Sequence, residues 1–334
     1  MPGISAKSRA GWRSWQLGIK GTVCRLSSSS STTTIPVIDL SPFVDPHASE
    51  SSKTQCAEAV HHAAVNVGFL YVKNHGVDPS IMDGALAHAR AFFSLPQVVK
   101  EEISILNQYQ APSNKEGTTP PLSCRGYQKA MCGLGNRLMR AFSLGFGLPE
   151  NYFAPFYHRS FWCLRLIRYP PVSPQERESL SSGLGCGEHS DYGCLTLLNM
   201  DESTQALQAR NTQGAWIFAD PIPGTLLVNI GDMLSRWSNG KFKSTPHRVL
   251  PAVGKARISI PFFFEPNLDT LVVPLPECEN YARAHGKIYS SVLFADHLRS
   301  KVTNNFSFLE PSPTATSLTG SKVHTVDGKG SERH

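Results

Sequence analysis

The stretch Gly187-Glu-His-Ser-Asp-Tyr-Gly-Cys-Leu-Thr-Leu-Leu198, GEHSDYGCLTLL, places His189 and Asp191 two residues apart just ahead of an apolar run. On a strand, side chains at i and i+2 leave the same face, so an imidazole and a carboxylate can reach one metal ion. His247 lies far downstream, and Arg257 and Ser259 follow it. Two imidazoles and a carboxylate can hold one face of a ferrous ion and leave other positions open. That donor set suits iron or manganese better than copper(I), which prefers sulfur. Taken singly, each residue has a plainer reading. His189 and Asp191 could be a hydrogen-bonded pair at a strand end, and His247 a structural histidine.

Outward from this stretch, short β-like runs alternate with turns at Cys194–Asn199, Ala206–Ala209, Thr225–Ile230, His247–Leu250 and Arg257–Phe264. Turn signals at such intervals predict a β-sandwich or jelly roll. Arg257 and Ser259 share a strand face. A guanidinium can grip a carboxylate through two parallel hydrogen bonds, and the hydroxyl can add a third. An arginine among Ile258, Ile260 and Phe262 needs an anionic partner. That partner is either an internal Asp or Glu or the carboxylate of a ligand.

Upstream, Ile35–Leu40 and Gly68–Val72 read as strands, and 54–67 has helical apolar spacing. Asp78 and Pro79 mark a helix start. Its apolar stripe is expected through Ile81, Ala85, His88 or Ala89, and Phe92. Residues 107–125 read as a loop, 134–144 as a short helix, 170–187 as a polar loop, and 279 to about 302 as one final helix.

The chain has 334 residues, 40% hydrophobic and 17% charged, enough material for a large core. Its net charge of +6 owes much to the first 38 residues, which hold five Lys or Arg and no acid. A nucleic-acid footprint is therefore not expected. The leader's mix of Ser, basic and apolar residues matches an organelle transit peptide, mitochondrial ahead of plastid. An untargeted leader on a cytoplasmic protein is the other reading. The eight cysteines include no Cys-x-x-Cys pair, which argues for free thiols rather than structural zinc. No stretch is apolar enough to span a membrane.

IPVIDL (35–40), GFLYVKNHGV (68–77), RGYQ (125–128), GEHSDYGCLTLL, NIGDMLSRWSNGKFKSTPHRV (229–249) and RISIPFFFEPN (257–267) together resemble one family. It is the iron(II)- and 2-oxoglutarate-dependent dioxygenases of the isopenicillin N synthase-like superfamily. The resemblance implies a mainly β fold with flanking helices, a distorted double-stranded β-helix or jelly roll. It implies iron(II) on His189, Asp191 and His247, with 2-oxoglutarate held by Arg257, Ser259 and Tyr169. The implied reaction takes O2 and a small organic substrate, usually hydroxylates it, and releases succinate and CO2. An oxidase of the same fold that uses no 2-oxoglutarate is an alternative, as is a truncated isoform that binds metal without turnover. The resemblance covers about Ile35 to Phe306 and divides it into an N-terminal dioxygenase region (35–160), a catalytic core (161–268) and a C-terminal helical region (269–307), while composition marks a leader (1–34) and a tail expected to be disordered (308–334).

Two departures stand out. The family often has asparagine two residues before the cosubstrate tyrosine, where this chain has Ile167. If Tyr169 points inward, alternation turns Ile167 and Arg165 inward too. Arg165 is then a candidate cation for a substrate acid or for the cosubstrate, unless a carboxylate at the mouth pairs with it. The second departure is a shortening near 128–136, where Tyr127 is followed almost at once by Gly133 and Gly135.

Overall fold

A computed structural model of the chain describes residues 34–102, 122–179, 185–286 and 288–305. The parts of the leader, the loop at 107–125 and the tail that fall elsewhere lie outside the described residues.

The N-terminal region alternates strand and helix. Strand β1 (Val37–Asp39) leads to helix α1 (Glu50–Asn66), which returns the chain to β2 (Phe69–Lys73), parallel to β1. Ser49 caps α1 by accepting the Ser52 amide, and Ala57, Val60 and Ala64 form its buried face. Asp78 caps α2 (Pro79–Phe93) with Pro79 in its first turn. The buried stripe of α2 is Met82, Leu86 and Ala89, one position on from Ile81 and Ala85. Those two pack at its edge and His88 is exposed. A short α3 (Gln97–Glu101) follows.

Helix α4 (Leu122–Gly145) contains the short helix expected at 134–144 and extends it by about three turns toward the N-terminus. It starts inside the stretch that reads as loop and carries the RGYQ motif on its first turns. Tyr127, Met131, Leu134, Leu138 and Phe142 recur at helical spacing and are almost fully buried. That stripe overrides the weak helix propensity of Gly126, Gly133 and Gly135. Gly135 has a further reason. A Cβ there would sit 2.6 Å from the Phe264 ring, so only glycine lets helix and strand approach this closely.

The remaining strands are β3 (Trp162–Leu164), β4 (Ile167–Tyr169), β5 (Pro171–Val172), β6 (Cys186–His189), β7 (Leu195–Met200), β8 (Leu207–Arg210) and β9 (Trp216–Phe218). After them come β10 (Leu226–Ile230), β11 (His247–Val249), β12 (Ala252–Val253), β13 (Arg257–Phe264), β14 (Leu271–Val272) and β15 (Val292–Leu293). The larger sheet runs β1-β2-β10-β7-β13-β3, with β4 also on β13, and the smaller runs β6-β11-β8-β9. The polar loop expected at 170–187 contains β5, a helix α5 (Pro174–Ser179) and the start of β6.

Strand alternation sorts the larger sheet into two faces. Leu70, Val72, Leu195, Leu197, Val228, Ile230, Ile260 and Phe262 join the core under the helices. Phe69, Tyr71, Leu198 and Leu227 point the other way and meet Leu207, Ala209 and Val249 of the smaller sheet. Two sheets facing each other across a thin apolar interior are the jelly roll the family resemblance implied. Each fully buried Phe or Leu contributes roughly 1.5–3 kcal/mol of transfer free energy. The interior between the sheets is therefore costly to open with polar groups, and those found there need a reason.

The single C-terminal helix expected from 279 is two helices. A helix α6 (Asp232–Trp237) precedes them, and α7 (Glu279–His285) ends at Gly286, whose φ of 68° makes a left-handed cap. The chain then pairs β15 with β14 before α8 (Phe294–Asn305). The six cysteines whose side chains are described are free, in line with the reading of reduced thiols. No described helix is long and apolar enough to cross a membrane.

Candidate active site

His189 closes β6 and His247 opens β11, and the two are direct cross-strand partners. Their ring centroids are 4.3 Å apart. Asp191 lies in the bend after β6 rather than on the strand, yet still returns its carboxylate to the histidines. The Nε2 atoms of His189 and His247 are each 3.8 Å from Asp191 Oδ1. One donor atom from each residue lies within 4.8 Å of the other two.

Neighbouring groups fix which atom of each residue is free. Asp191 Oδ2 accepts hydrogen bonds from the Thr196 hydroxyl and from Asn229 Nδ2, the latter at 2.7 Å. That leaves Oδ1 facing the imidazoles. Nδ1 of His189 is 2.8 Å from the Gly187 carbonyl, and Nδ1 of His247 is 3.1 Å from the Thr245 carbonyl. Each carbonyl accepts from Nδ1–H, which selects the tautomer with a lone pair on Nε2. Phe69 packs edge-on against His247 and fixes its ring plane. Burial lowers the His247 pKa and favours the neutral ring a metal needs. The Cys186 thiol beside Nδ1 raises the His189 pKa, against the lowering by burial.

The loop between the ligands is clamped from behind. The Asp232 amide donates to the Asp191 carbonyl, and Asp232 Oδ1 accepts the Ser190 hydroxyl at 3.0 Å and the Ser244 hydroxyl at 2.7 Å. Gly231 lies so close to this loop that a Cβ would be 2.4 Å from the Gly193 carbonyl oxygen. Thr196, Asn229 and Asp232 escaped the reading of the sequence. The signal for the first two was present: each is a polar residue in an otherwise apolar strand run.

Arg257 and Ser259 face the same interior from β13, where Arg257 pairs with Tyr169 and Ser259 with Ile167. Arg257 is 1% exposed. Its guanidinium lies over the Tyr169 ring at 5.2 Å and is within reach of that side chain, Nη2 contacts the weak acceptor Met200 Sδ at 3.8 Å, and Nη1 is buried without a partner. The nearby Asp201 carboxylate is occupied by the amides of Ile258 and Ser203. Burial lowers the arginine's pKa, as it must for a cation short of counter-charge. A buried donor left unpaired is rare and costly. Its pairing with an internal Asp or Glu is not found among the described residues. The orphaned guanidinium, with the Ser259 hydroxyl on the same face, fits the carboxylate of a bound 2-oxo acid.

Tyr169, Ile167 and Arg165 line this cavity of about 180 Å³, as alternation predicts, together with the triad, Arg257 and Ser259. Ile167 faces Ser259 and supplies no polar contact. Arg165 is exposed at the rim, and no carboxylate pairs with it among the described residues. A larger cleft of about 760 Å³ contains none of the triad or anchor residues. Donor geometry, not volume, locates the chemistry.

The 2OG-Fe(II) oxygenase superfamily model matches residues 161–266, and that of the "non-haem dioxygenase in morphine synthesis N-terminal" region matches residues 35–134. A homoarginine-6-hydroxylase, 2-ODD-233 of Oryza sativa subsp. japonica, is 33% identical over 321 residues, covering 81% of this chain and 97% of the rice protein. A full-length Neurospora crassa protein, solved in complex with alpha-KG and 5-formyluracil, is similar with a TM-score of 0.69 at 29% identity, covering 81% of this chain and 96% of that one. JOX2, solved with 2OG, Fe and JA, is similar with a TM-score of 0.64 at 29% identity, covering 80% and 84%.

Proposed function

The chain belongs to the 2OG-Fe(II) oxygenase superfamily, and from that we propose that His189, Asp191 and His247 hold iron(II), that Arg257, Ser259 and Tyr169 hold 2-oxoglutarate, and that Arg165 receives an anionic group of the substrate. The enzyme is a 2-oxoglutarate-dependent dioxygenase that oxidises a small organic substrate. Bound iron supplies the O2 activation, with 2-oxoglutarate leaving as succinate and CO2. The protein's own part is positional. Thr196 and Asn229 hold Asp191 so that one oxygen faces the metal. Arg257 grips the distal carboxylate of the cosubstrate and so fixes its approach. Phe69, Leu198 and Leu207 keep the cavity wall apolar and limit water.

The observation that carries this reading is the Arg257 guanidinium, with Nη1 buried and unpartnered, in the same cavity as the triad. For the substrate, support comes from Arg165 at the rim, a cation that lines the cavity and pairs with no carboxylate among the described residues. The test is a screen of small metabolites for substrate-stimulated O2 uptake, with succinate counted per turnover. Uptake that needs no 2-oxoglutarate and yields no succinate would identify an oxidase of the same fold. Arg165→Leu should raise the substrate KM at least tenfold and leave iron content unchanged. Unaltered KM values for substrate and cosubstrate would remove Arg165 from the site.

A second reading has one observation in its favour. The alignment to the rice enzyme runs over 321 positions yet draws on 81% of this 334-residue chain. The relative therefore carries residues that this chain lacks. If the shortening falls near 128–136, the cavity rim is incomplete and the chain is an isoform that binds metal without turnover. Bound iron without succinate, with the rice enzyme active in parallel, would favour it.

A further inference from the structure

Behind the metal-binding loop lies the cleft of about 760 Å³, walled by the end of β8, by α6 and the segment that follows it, and by α7 and α8. Its lining is rich in cations. Arg210, Arg236, Lys243 and Lys301 face one carboxylate, Asp232. Two of the four are neutralised: Lys301 bonds Asp232 at 3.0 Å and Arg210 bonds Glu188 at 3.1 Å. The other two pair with no carboxylate among the described residues. Arg236 donates Nη1 to the Ser290 carbonyl at 2.6 Å, and its Nε is buried without a partner. Lys243 reaches only the Tyr281 hydroxyl, at 3.3 Å.

We propose that this cleft binds a phosphate-type oxyanion at a site separate from the 2-oxoglutarate anchor. Two unneutralised cations on one concave wall focus a positive potential that a small multivalent anion can satisfy. A free phosphate group fits better than a nucleoside. The two tyrosine faces that could stack a base are already covered: His285 stacks on Tyr281 at 4.0 Å, and the Arg236 guanidinium lies over Tyr289 at 5.0 Å. The position links the cleft to the metal loop, since Asp232 holds Lys301 on one oxygen and Ser190 and Ser244 on the other.

The test is equilibrium dialysis of labelled orthophosphate against the iron-loaded full chain, held anaerobic at fixed ionic strength. One saturable phosphate per chain is expected, retained with excess 2-oxoglutarate and in Arg257→Ala. Lys243→Ala should weaken it at least tenfold, and Lys243→Arg should keep most of it, which separates lost charge from lost folding. ADP should compete no better than phosphate; tighter ADP binding would keep the anion site and add a base to its ligand. The proposal is overturned if binding is not saturable, if Lys243→Ala and Lys243→Arg behave alike, or if 2-oxoglutarate or Arg257→Ala abolishes it. The last result would place the phosphate at the cosubstrate anchor and leave the dioxygenase reading standing.

Discussion

At the scale of single residues, two buried charges dominate. Arg257 pairs with no carboxylate among the described residues and keeps one buried nitrogen without a partner, which suits an anionic ligand. Arg257→Ala should weaken 2-oxoglutarate binding by roughly 2–5 kcal/mol, read as a rise in the cosubstrate Kd, because the ligand carboxylate is then buried unpaired. Glu265 is the opposite case. It is 5% exposed, accepts the Cys194 amide at 2.6 Å, and is pushed up to about 8 by burial, with the nearby Asp191 and Asp232 charges adding to the shift. The folded chain therefore keeps a proton that the unfolded chain gives up near the ordinary Glu value. As pH rises from about 5 to 8 the unfolded state is favoured and stability falls. In Glu265→Gln that slope should flatten, changing the pH 5 to pH 8 difference by ~2–4 kcal/mol in urea melts of the metal-free chain. A parallel slope in the variant would show that Glu265 ionises normally.

At the scale of elements, legibility follows local patterning. The strands of the core are visible in the sequence because each is a short apolar run bounded by turn residues. Tyr169, Ile167 and Arg165 can be placed in one cavity because a strand has a period of two and Arg257 pairs with Tyr169. Only the second half of helix α4 is legible. Its first turns contain Ser123 and Gly126, and its burial depends on partners such as Phe264 that no local window contains. The orienting roles of Asn229 and Asp232 are hidden for the same reason: the groups they hold lie 38 and 42 residues away. Gly135→Ala tests the helix–strand contact. Alanine favours a helix by about 1 kcal/mol. The Phe264 ring cannot yield, being stacked flat on Tyr157 at 4.7 Å. Overpacking should therefore win, with a net loss of roughly 1–3 kcal/mol in denaturant melts.

At the scale of the molecule, the helices and the larger sheet form one core, and the interior between the two sheets holds the chemistry. The donors come from β6, the bend after it and β11, so a metal ion ties the smaller sheet to the loop that α6 clamps. Ferrous ion in excess over its Kd should raise the midpoint of thermal unfolding by roughly 5 °C through linkage. A chelator should reverse the rise. Asp191→Ala should show neither response and should hold no stoichiometric iron by elemental analysis; undiminished iron in that variant would remove Asp191 from the ligand set.

His189 and His247 face each other rung to rung across β6 and β11. A one-residue slip would turn one imidazole away, so chelation and correct strand pairing are the same event. His247 lies far along the chain from His189 and Asp191, so the three-donor site is complete only once this ladder has formed. Bound iron would therefore have its full donor set only in a chain whose smaller sheet has paired in register.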